Sequence, residues 1–198
     1  MASNPYDLLF LGDSITESFR WIRASLNYWN DTFSSFNGAR AGISSDGIQH
    51  MLYRIENGHL EVTQPKVLAL LGGTNNIPNR SAEEVAAGMT HLVYKIKELS
   101  PNTEILLLGI FPRGNQTTGE LDVQLTPKLN AVNASYEELA SYDSKIHYLN
   151  INSEFLSDDG QQLRTERYNS GDGVHLNHDG RVAWGQAILP KVQELLAK

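Results

Sequence analysis

The chain predicts an α/β fold with a mainly parallel sheet, and three observations carry that prediction. Strand-like apolar runs and amphipathic helical patterns alternate five times along 198 residues, with no Pro/Ser-rich linker and no internal repeat. Two of the runs, residues 8–11 and 67–71, are unbroken in their apolarity, as suits strands covered on both faces. Right-handed crossovers put every strand's carboxyl end on one edge of the sheet. Glycine-bearing loops follow the first three strands at that edge: Gly12-Asp13-Ser14, Gly42 and Gly73-Thr74-Asn75. A chain of this length buries roughly 70 % of the surface its unfolded form exposes, so one domain spanning residues 1–198 is expected.

The first strand, Leu8 to Gly12, passes directly into a helical pattern in which Ile15, Phe19, Ile22, Leu26 and Trp29 recur at steps of four and three. Trp21 and Trp29 are read as core or rim residues. Residues 32–37 are expected to form a second strand leading into Gly38-Ala39-Arg40-Ala41-Gly42. A second helix carries Ile48, Met51, Leu52 and Ile55, with Ser44 or Ser45 as its cap and Gly58 just past its end. Pro65 opens the third strand. The third helix has the clearest signature: Ser81 with Glu84 makes a capping box, and Val85, Met89, Leu92, Val93, Ile96 and Leu99 make a buried stripe.

Residues 105–110 read as a fourth strand, closed by Phe111-Pro112-Arg113-Gly114. Thr126 as cap and Pro127 at the first position begin a fourth long helix through Leu129, Val132, Tyr136 and Leu139. Residues 146–149 read as the last strand. Residues 157–174 are polar, Gly-rich and without period, a long loop of the kind that is functional or disordered. The final helix starts near Asn177 and should be kinked or split at Pro190.

Composition excludes several kinds of chemistry. There is no cysteine, which removes disulfides, thiolate nucleophiles and thiolate metal ligands. A net charge of −7 argues against a nucleic-acid or anionic-membrane partner. No apolar run approaches the roughly 20 residues of a membrane span. Met1-Ala2-Ser3-Asn4-Pro5 does not read as a signal peptide, so the expectation is a soluble protein, secreted with its leader removed or cytoplasmic. Four Asn-x-Ser/Thr triplets begin at Asn30, Asn79, Asn115 and Asn133, against about two expected by chance, and carry little weight.

Ser14 stands where α/β enzymes hold their chemistry, at the end of a buried strand. A free hydroxyl is a poor nucleophile near neutral pH and needs a base, for which His175 is the natural candidate. Asp172, three residues earlier, would accept from the other ring nitrogen and fix the tautomer. Donors for an oxyanion are at hand in the backbone amides of Ser14 and Gly42 and the side-chain amide of Asn75. Each motif has a structural reading of its own: a strand-to-helix turn, a turn glycine, an Asx-turn, a loop ion pair. Their joint order at the strand ends favours catalysis. A rival set of metal ligands would be Asp172, His175, His178 and Asp179, but His178 is read as exposed in the first helical turn and no metal is expected. His50, His59, His91 and His147 are read as structural or surface residues.

Gly12-Asp13-Ser14, Gly42, Gly73-Thr74-Asn75 and Asp172-x-x-His175 resemble the four blocks of the SGNH (GDSL) hydrolase superfamily, in order and over the whole chain. The resemblance implies a flavodoxin-like three-layer α/β/α sandwich on a five-stranded parallel sheet, no cofactor, and ester hydrolysis through an acyl-serine. Arg54-Ile55-Glu56-Asn57-Gly58, Pro65-Lys66-Val67 running to Asn76, and Leu108 to Gly114 are similar to the platelet-activating factor acetylhydrolase catalytic-subunit branch, and carbohydrate acetyl esterases share much of the pattern. A short acyl group, acetyl first, is thereby implied. The alcohol is expected to be a decorated carbohydrate, with a lipid or other small ester as the alternative, and the branch is compatible with a homodimer. Two departures stand out: Asn76 replaces the Asp common after the third-block Asn, and Ser45 stands where Gly is common.

Overall fold

Two apolar pentads sit side by side at the centre of the sheet. In a computed structural model, which describes residues 6–61 and 64–198, Leu8–Gly12 (β1) pairs in parallel with Val67–Leu71 (β3), and every residue of both strands is buried. Gly38–Gly42 (β2) flanks β1 on one side. Glu104–Leu108 (β4) and Ile146–Leu149 (β5) extend the sheet beyond β3 on the other. The order is β2-β1-β3-β4-β5 and every pairing is parallel. The pentapeptide at the amino terminus, read above for a signal peptide, lies outside the described residues.

Strand periodicity explains the three layers. Leu9, Leu11, Leu68 and Leu70 point to one face, where Ile48–Arg54 (α3), Ala82–Leu99 (α4) and Thr126–Ser141 (α5) supply Met51, Met89, Val93 and Tyr136. Leu8, Phe10, Val67 and Ala69 point to the other. There Arg23–Phe33 (α2) and His178–Leu196 (α6) bring Trp29, Phe33, Trp184 and Ile188 onto Phe10. The short helix Ser14–Glu17 (α1) leaves β1 after a single residue, Asp13. Among the described residues no helix is long and apolar enough to cross a membrane.

Several local expectations are corrected. Residues 32–37 are not a strand: they end α2 and continue as a 3-10 turn, Ser34–Phe36, while the strand is the glycine- and alanine-rich stretch Gly38–Gly42. Its strand character comes from pairing with β1, not from an apolar run. The single helix expected from Ile15 to Trp29 is three pieces, α1, a 3-10 turn at Ser18–Arg20, and α2, with Ile22 extended at the break. Neither Ser44 nor Ser45 caps α3. Its first amides are taken instead by Asn76 Oδ1, which accepts from Ile48 N at 2.9 Å, and by His50 Nδ1, which accepts from Gly47 N at 2.9 Å. Beyond α3 the last turn widens and the helical dihedral angles end before Asn57 and Gly58; Gly58 lies at φ +97°, the left-handed conformation of a glycine just past a helix end, as expected.

The fourth strand is one residue earlier at its start and two at its end than the expected 105–110. Thr126 is the first residue of α5 rather than its cap, and the Asp122 carboxylate accepts the Gln124 and Leu125 amides just ahead of it. Of the kink or split expected at Pro190, the split does not occur: α6 runs unbroken through it. Proline costs a helix about 3 kcal/mol, whereas Trp184, Ile188, Val192 and Leu195 are buried along one face of α6, each worth about 1.5–3 kcal/mol. The capping box Ser81–Glu84 forms in both directions, and Asn177 caps α6 through Gly180 N at 3.0 Å.

The segment 157–174 is irregular but held. Isolated bridges Leu156–Leu163, Glu120–Gln162 and Tyr168–Leu176 pin it, together with a 3-10 turn at Thr165–Arg167. Gly173 lies so close to Gly114 that an added Cβ would come within 1.6 Å of the Gly114 carbonyl oxygen. Only glycine permits that approach, and the Gly114 amide donates to the Gly173 carbonyl at 3.0 Å across it.

Candidate active site

The carboxyl ends of β1, β2 and β3 lie together, as parallel topology requires, and the three loops that leave them build one edge of the sheet. Gly12 has no room for a side chain, since a Cβ there would stand 2.1 Å from Thr16 Oγ1 and 2.8 Å from the Leu71 carbonyl. The chain can therefore turn from β1 into α1 immediately. Asp13 is fully buried and accepts the Ile15 amide on Oδ1 at 2.9 Å, which seats α1 with Ser14 as its first residue. Its Oδ2 has no protein partner, and burial pushes the carboxyl up to about 7.

Ser14 Oγ lies 2.8 Å from His175 Nε2, although 161 positions separate them in the chain. On the far side of the ring, His175 Nδ1 is 2.5 Å from Asp172 Oδ2. Asp172 Oδ1 meanwhile accepts the backbone amides of Val174 at 2.8 Å and His175 at 3.1 Å, so the carboxylate folds its own loop as well as facing the imidazole. Burial works to raise the Asp172 carboxyl, but the imidazole and those two amides outweigh it and hold the carboxyl below its ordinary value. The order Asp–His–Ser anticipated from sequence is thus a continuous chain of contacts.

The predicted oxyanion donors are gathered at the same edge. Gly42 presses on α1, where a Cβ would meet Glu17 N at 2.3 Å and the Asp13 carbonyl at 2.8 Å. The next amide, Ile43 N, donates to the Gly12 carbonyl at 3.2 Å. Amides along a parallel strand alternate in direction, so the Gly42 N–H is not consumed by pairing with β1. The Ser14 N–H belongs to the first helical turn, where amides lack intrahelical acceptors. Asn75 Nδ2 donates one hydrogen to the Asp46 carbonyl at 2.9 Å, which leaves its second hydrogen for another acceptor. Gly73 at φ +111° and Tyr136, whose hydroxyl donates to the Gly72 carbonyl at 3.1 Å, shape the loop that carries Asn75.

One residue of this network escaped the sequence reading. Arg54, at the end of α3, donates through Nη1 to the Ala41 carbonyl at 2.9 Å and through Nη2 to the Gly12 carbonyl at 3.3 Å, and pairs with Asp46 Oδ2 at 2.7 Å. It ties the ends of β1 and β2 to the residue whose carbonyl holds Asn75. Only the motif Arg54-Ile55-Glu56-Asn57-Gly58 hinted at it, without indicating a role. The two departures also find their places: Asn76 caps α3, and Ser45 adopts φ +68°, the left-handed conformation that glycine takes most readily.

His178 does not join Asp172 and His175 but sits half-buried, with Nδ1 3.2 Å from Ser25 Oγ. Among the described residues no three His, Asp or Glu side chains gather as metal ligands. His147 contacts Glu104 at 2.5 Å on the β4–β5 side of the sheet. Asn133, in one of the four Asn-x-Ser/Thr triplets, is buried with its amide clamped on both backbone groups of Ile110, so it offers no attachment point for a glycan.

A five-stranded parallel sheet of order 2-1-3-4-5 that carries these loops at its carboxyl edge is the SGNH hydrolase fold. Residues 10–183 match the GDSL-like lipase/acylhydrolase family, and the chain belongs to that family of ester hydrolases. It is 33 % identical over 190 residues to the platelet-activating factor acetylhydrolase IB subunit alpha2 of Rattus norvegicus, covering 96 % of this chain and 77 % of the relative. With the IB subunit alpha1 of Homo sapiens it shares 29 % identity over 192 residues, covering 97 % of this chain and 78 % of the relative. Among solved structures, an acetyl xylan esterase from Geobacillus stearothermophilus superposes with a TM-score of 0.71 at 18 % identity, over 94 % of each chain.

Proposed function

We propose that the protein is a serine esterase that removes acetyl or another short acyl group from an oxygen ester in two steps. The observation that carries this reading is the contact chain Asp172–His175–Ser14, at 2.5 and 2.8 Å. In the first step His175 Nε2 takes the Ser14 proton as Oγ attacks the ester carbonyl, and the same nitrogen then protonates the departing alcohol. The second step repeats the sequence with water attacking the acyl-Ser14. Asp172 accepts from Nδ1–H throughout and balances the imidazolium. The amides of Ser14, Gly42 and Asn75 receive the oxyanion, and Arg54 positions the last of them through Asp46. No cofactor enters these steps.

The curated relatives are named as acetylhydrolases, which supports acetyl as the acyl group. For the alcohol, a carbohydrate is the first reading. A cleft of about 640 Å³ runs beside the loop that carries Asp172, lined by Asn115, Gln116, Glu120, Asp122, Gln124 and Gly173. Amides and carboxylates of this kind suit hydroxyl groups better than an alkyl chain. The lipid-type alcohol suggested by the relatives' name is the second reading. Acetate release from acetylated xylo-oligosaccharides, acetylated monosaccharides and phospholipid acetates, compared by kcat/KM, decides between them: a preference for the phospholipid overturns the carbohydrate assignment.

A further inference from the structure

Of the three tryptophans in the chain, Trp29 and Trp184 are buried in the aromatic cluster on Phe10, whereas Trp21 is 42 % exposed and belongs to neither hydrophobic cluster. Its position is held at some expense. The helix expected to run from Ile15 to Trp29 breaks at Ile22, which is extended, and Trp21 sits on the last turn before the break. Arg181 of α6, itself 2 % exposed, straddles that break: Nε donates to Ser18 Oγ at 2.8 Å and Nη1 to Ser25 Oγ at 3.0 Å. Among the described residues no carboxylate pairs with this guanidinium, and a buried charge supported only by hydroxyls is costly. The Trp21 indole has the His175 imidazole and the Arg181 guanidinium as neighbours. Its ring centroid is 5.4 Å from that of His175, and the Arg181 Cζ lies 5.9 Å from it.

His175 Nε2 must deliver its proton to the leaving alcohol, so the alcohol departs beside the imidazole, and a side chain that touches the imidazole stands on the alcohol side of the site. We infer that Trp21 is the platform on which the sugar ring of the alcohol stacks, its exposed indole meeting the apolar C–H face of a pyranose. An aromatic face attracts such a surface while the ring's hydroxyl groups stay in water at its edge. This inference rests on the carbohydrate reading above and concerns the ring that bears the ester, beside His175; Trp21 is not part of the cleft lined by Asn115 and Gln116, which is left to more distant parts of the substrate.

The test compares kcat/KM on acetylated xylo-oligosaccharide and on ethyl acetate, which has no ring, for the parent protein, Trp21→Ala and Trp21→Phe. Stacking of this kind is worth about a five- to tenfold change. The sugar-to-ethyl acetate ratio should fall by that factor in Trp21→Ala and recover in part in Trp21→Phe. An unchanged ratio, whether both activities drop or neither does, overturns the platform and leaves Trp21 as a support for His175. A parent protein that cleaves ethyl acetate but not the sugar ester overturns the carbohydrate reading itself. Fluorescence gives a readout free of turnover. In Ser14→Ala, acetylated xylo-oligosaccharide should shift the emission of the one exposed indole, and the shift should vanish when Trp21→Phe is added. Persistence of the shift in that double variant overturns the inference.

Discussion

The side-chain amide of Asn75 donates to the backbone carbonyl of Asp46 at 2.9 Å, and through this bond the loop after β3 is fastened to the loop after β2. Asp46 is in turn gripped by Arg54, which also holds the carbonyls of Gly12 and Ala41. One planar guanidinium therefore ties the ends of β1 and β2 to Asp46, and the Asp46 carbonyl brings in the loop after β3. The loops that carry Ser14, Gly42 and Asn75 are thereby linked to one another, which is the preorganisation that the proposed oxyanion site would need.

If that is the work of Arg54, then Arg54→Lys, which keeps the charge but loses the fork, should lower kcat by about 10–10² while changing KM much less. Steady-state kinetics with a melting curve on the same sample checks this. A variant that melts lower but turns over normally per folded molecule refutes the positioning role.

In the proposed mechanism Asn75→Ala removes an oxyanion donor itself. Because the oxyanion's charge develops only in the transition state, kcat should fall by about 10²–10³ with KM nearly unchanged. A destabilised protein with normal turnover would mean that Asn75 serves only to bind Asp46.

Ser14→Ala should abolish nearly all turnover, a loss on the order of 10⁴–10⁶, with the fold intact as judged by circular dichroism. Retention of more than a few per cent of activity removes Ser14 from the nucleophile's role. Asp172→Asn should also cut turnover strongly, up to about 10⁴ if tautomer control is its main contribution. The Val174 and His175 amides that Asp172 accepts can still be held by an Asn oxygen, so the loop should survive. Unchanged turnover across the pH range excludes Asp172.

Asp13 makes a prediction about stability rather than rate. Its carboxyl ionises at about 7 in the folded chain, against an ordinary 3.8. Between those values the folded state holds a proton that the unfolded state has released, so the group's contribution to stability is complete below about pH 4 and is lost as pH rises through about 7. Asp13→Asn keeps an oxygen for the Ile15 amide and cannot ionise. Relative to this variant, the parent should lose melting temperature between about pH 4 and about pH 7 and run parallel to it above that; curves parallel over the whole range would show that Asp13 is ionised throughout.

The order of strands and helices, the central place of the two apolar pentads, the capping box at Ser81 and the sites of Ser14, Asp172 and His175 were all legible from the sequence alone. Their signals are local: an apolar run, a 3.6-residue stripe or a capping residue declares itself within a few positions. What only the tertiary structure decided depends on distant partners. Gly38–Gly42 has no apolar run and becomes a strand because β1 offers it a ladder. Residues 32–37 look strand-like yet remain helical because Phe33 is drawn down onto Phe10 by α2. Arg54 and Arg181 are two unremarkable arginines in sequence, and nothing nearby in the chain announces that one ties the ends of β1 and β2 to Asp46 and the other braces Trp21 beside His175. A buried guanidinium finds its acceptors through space, and short-range pattern carries no record of where those acceptors will be.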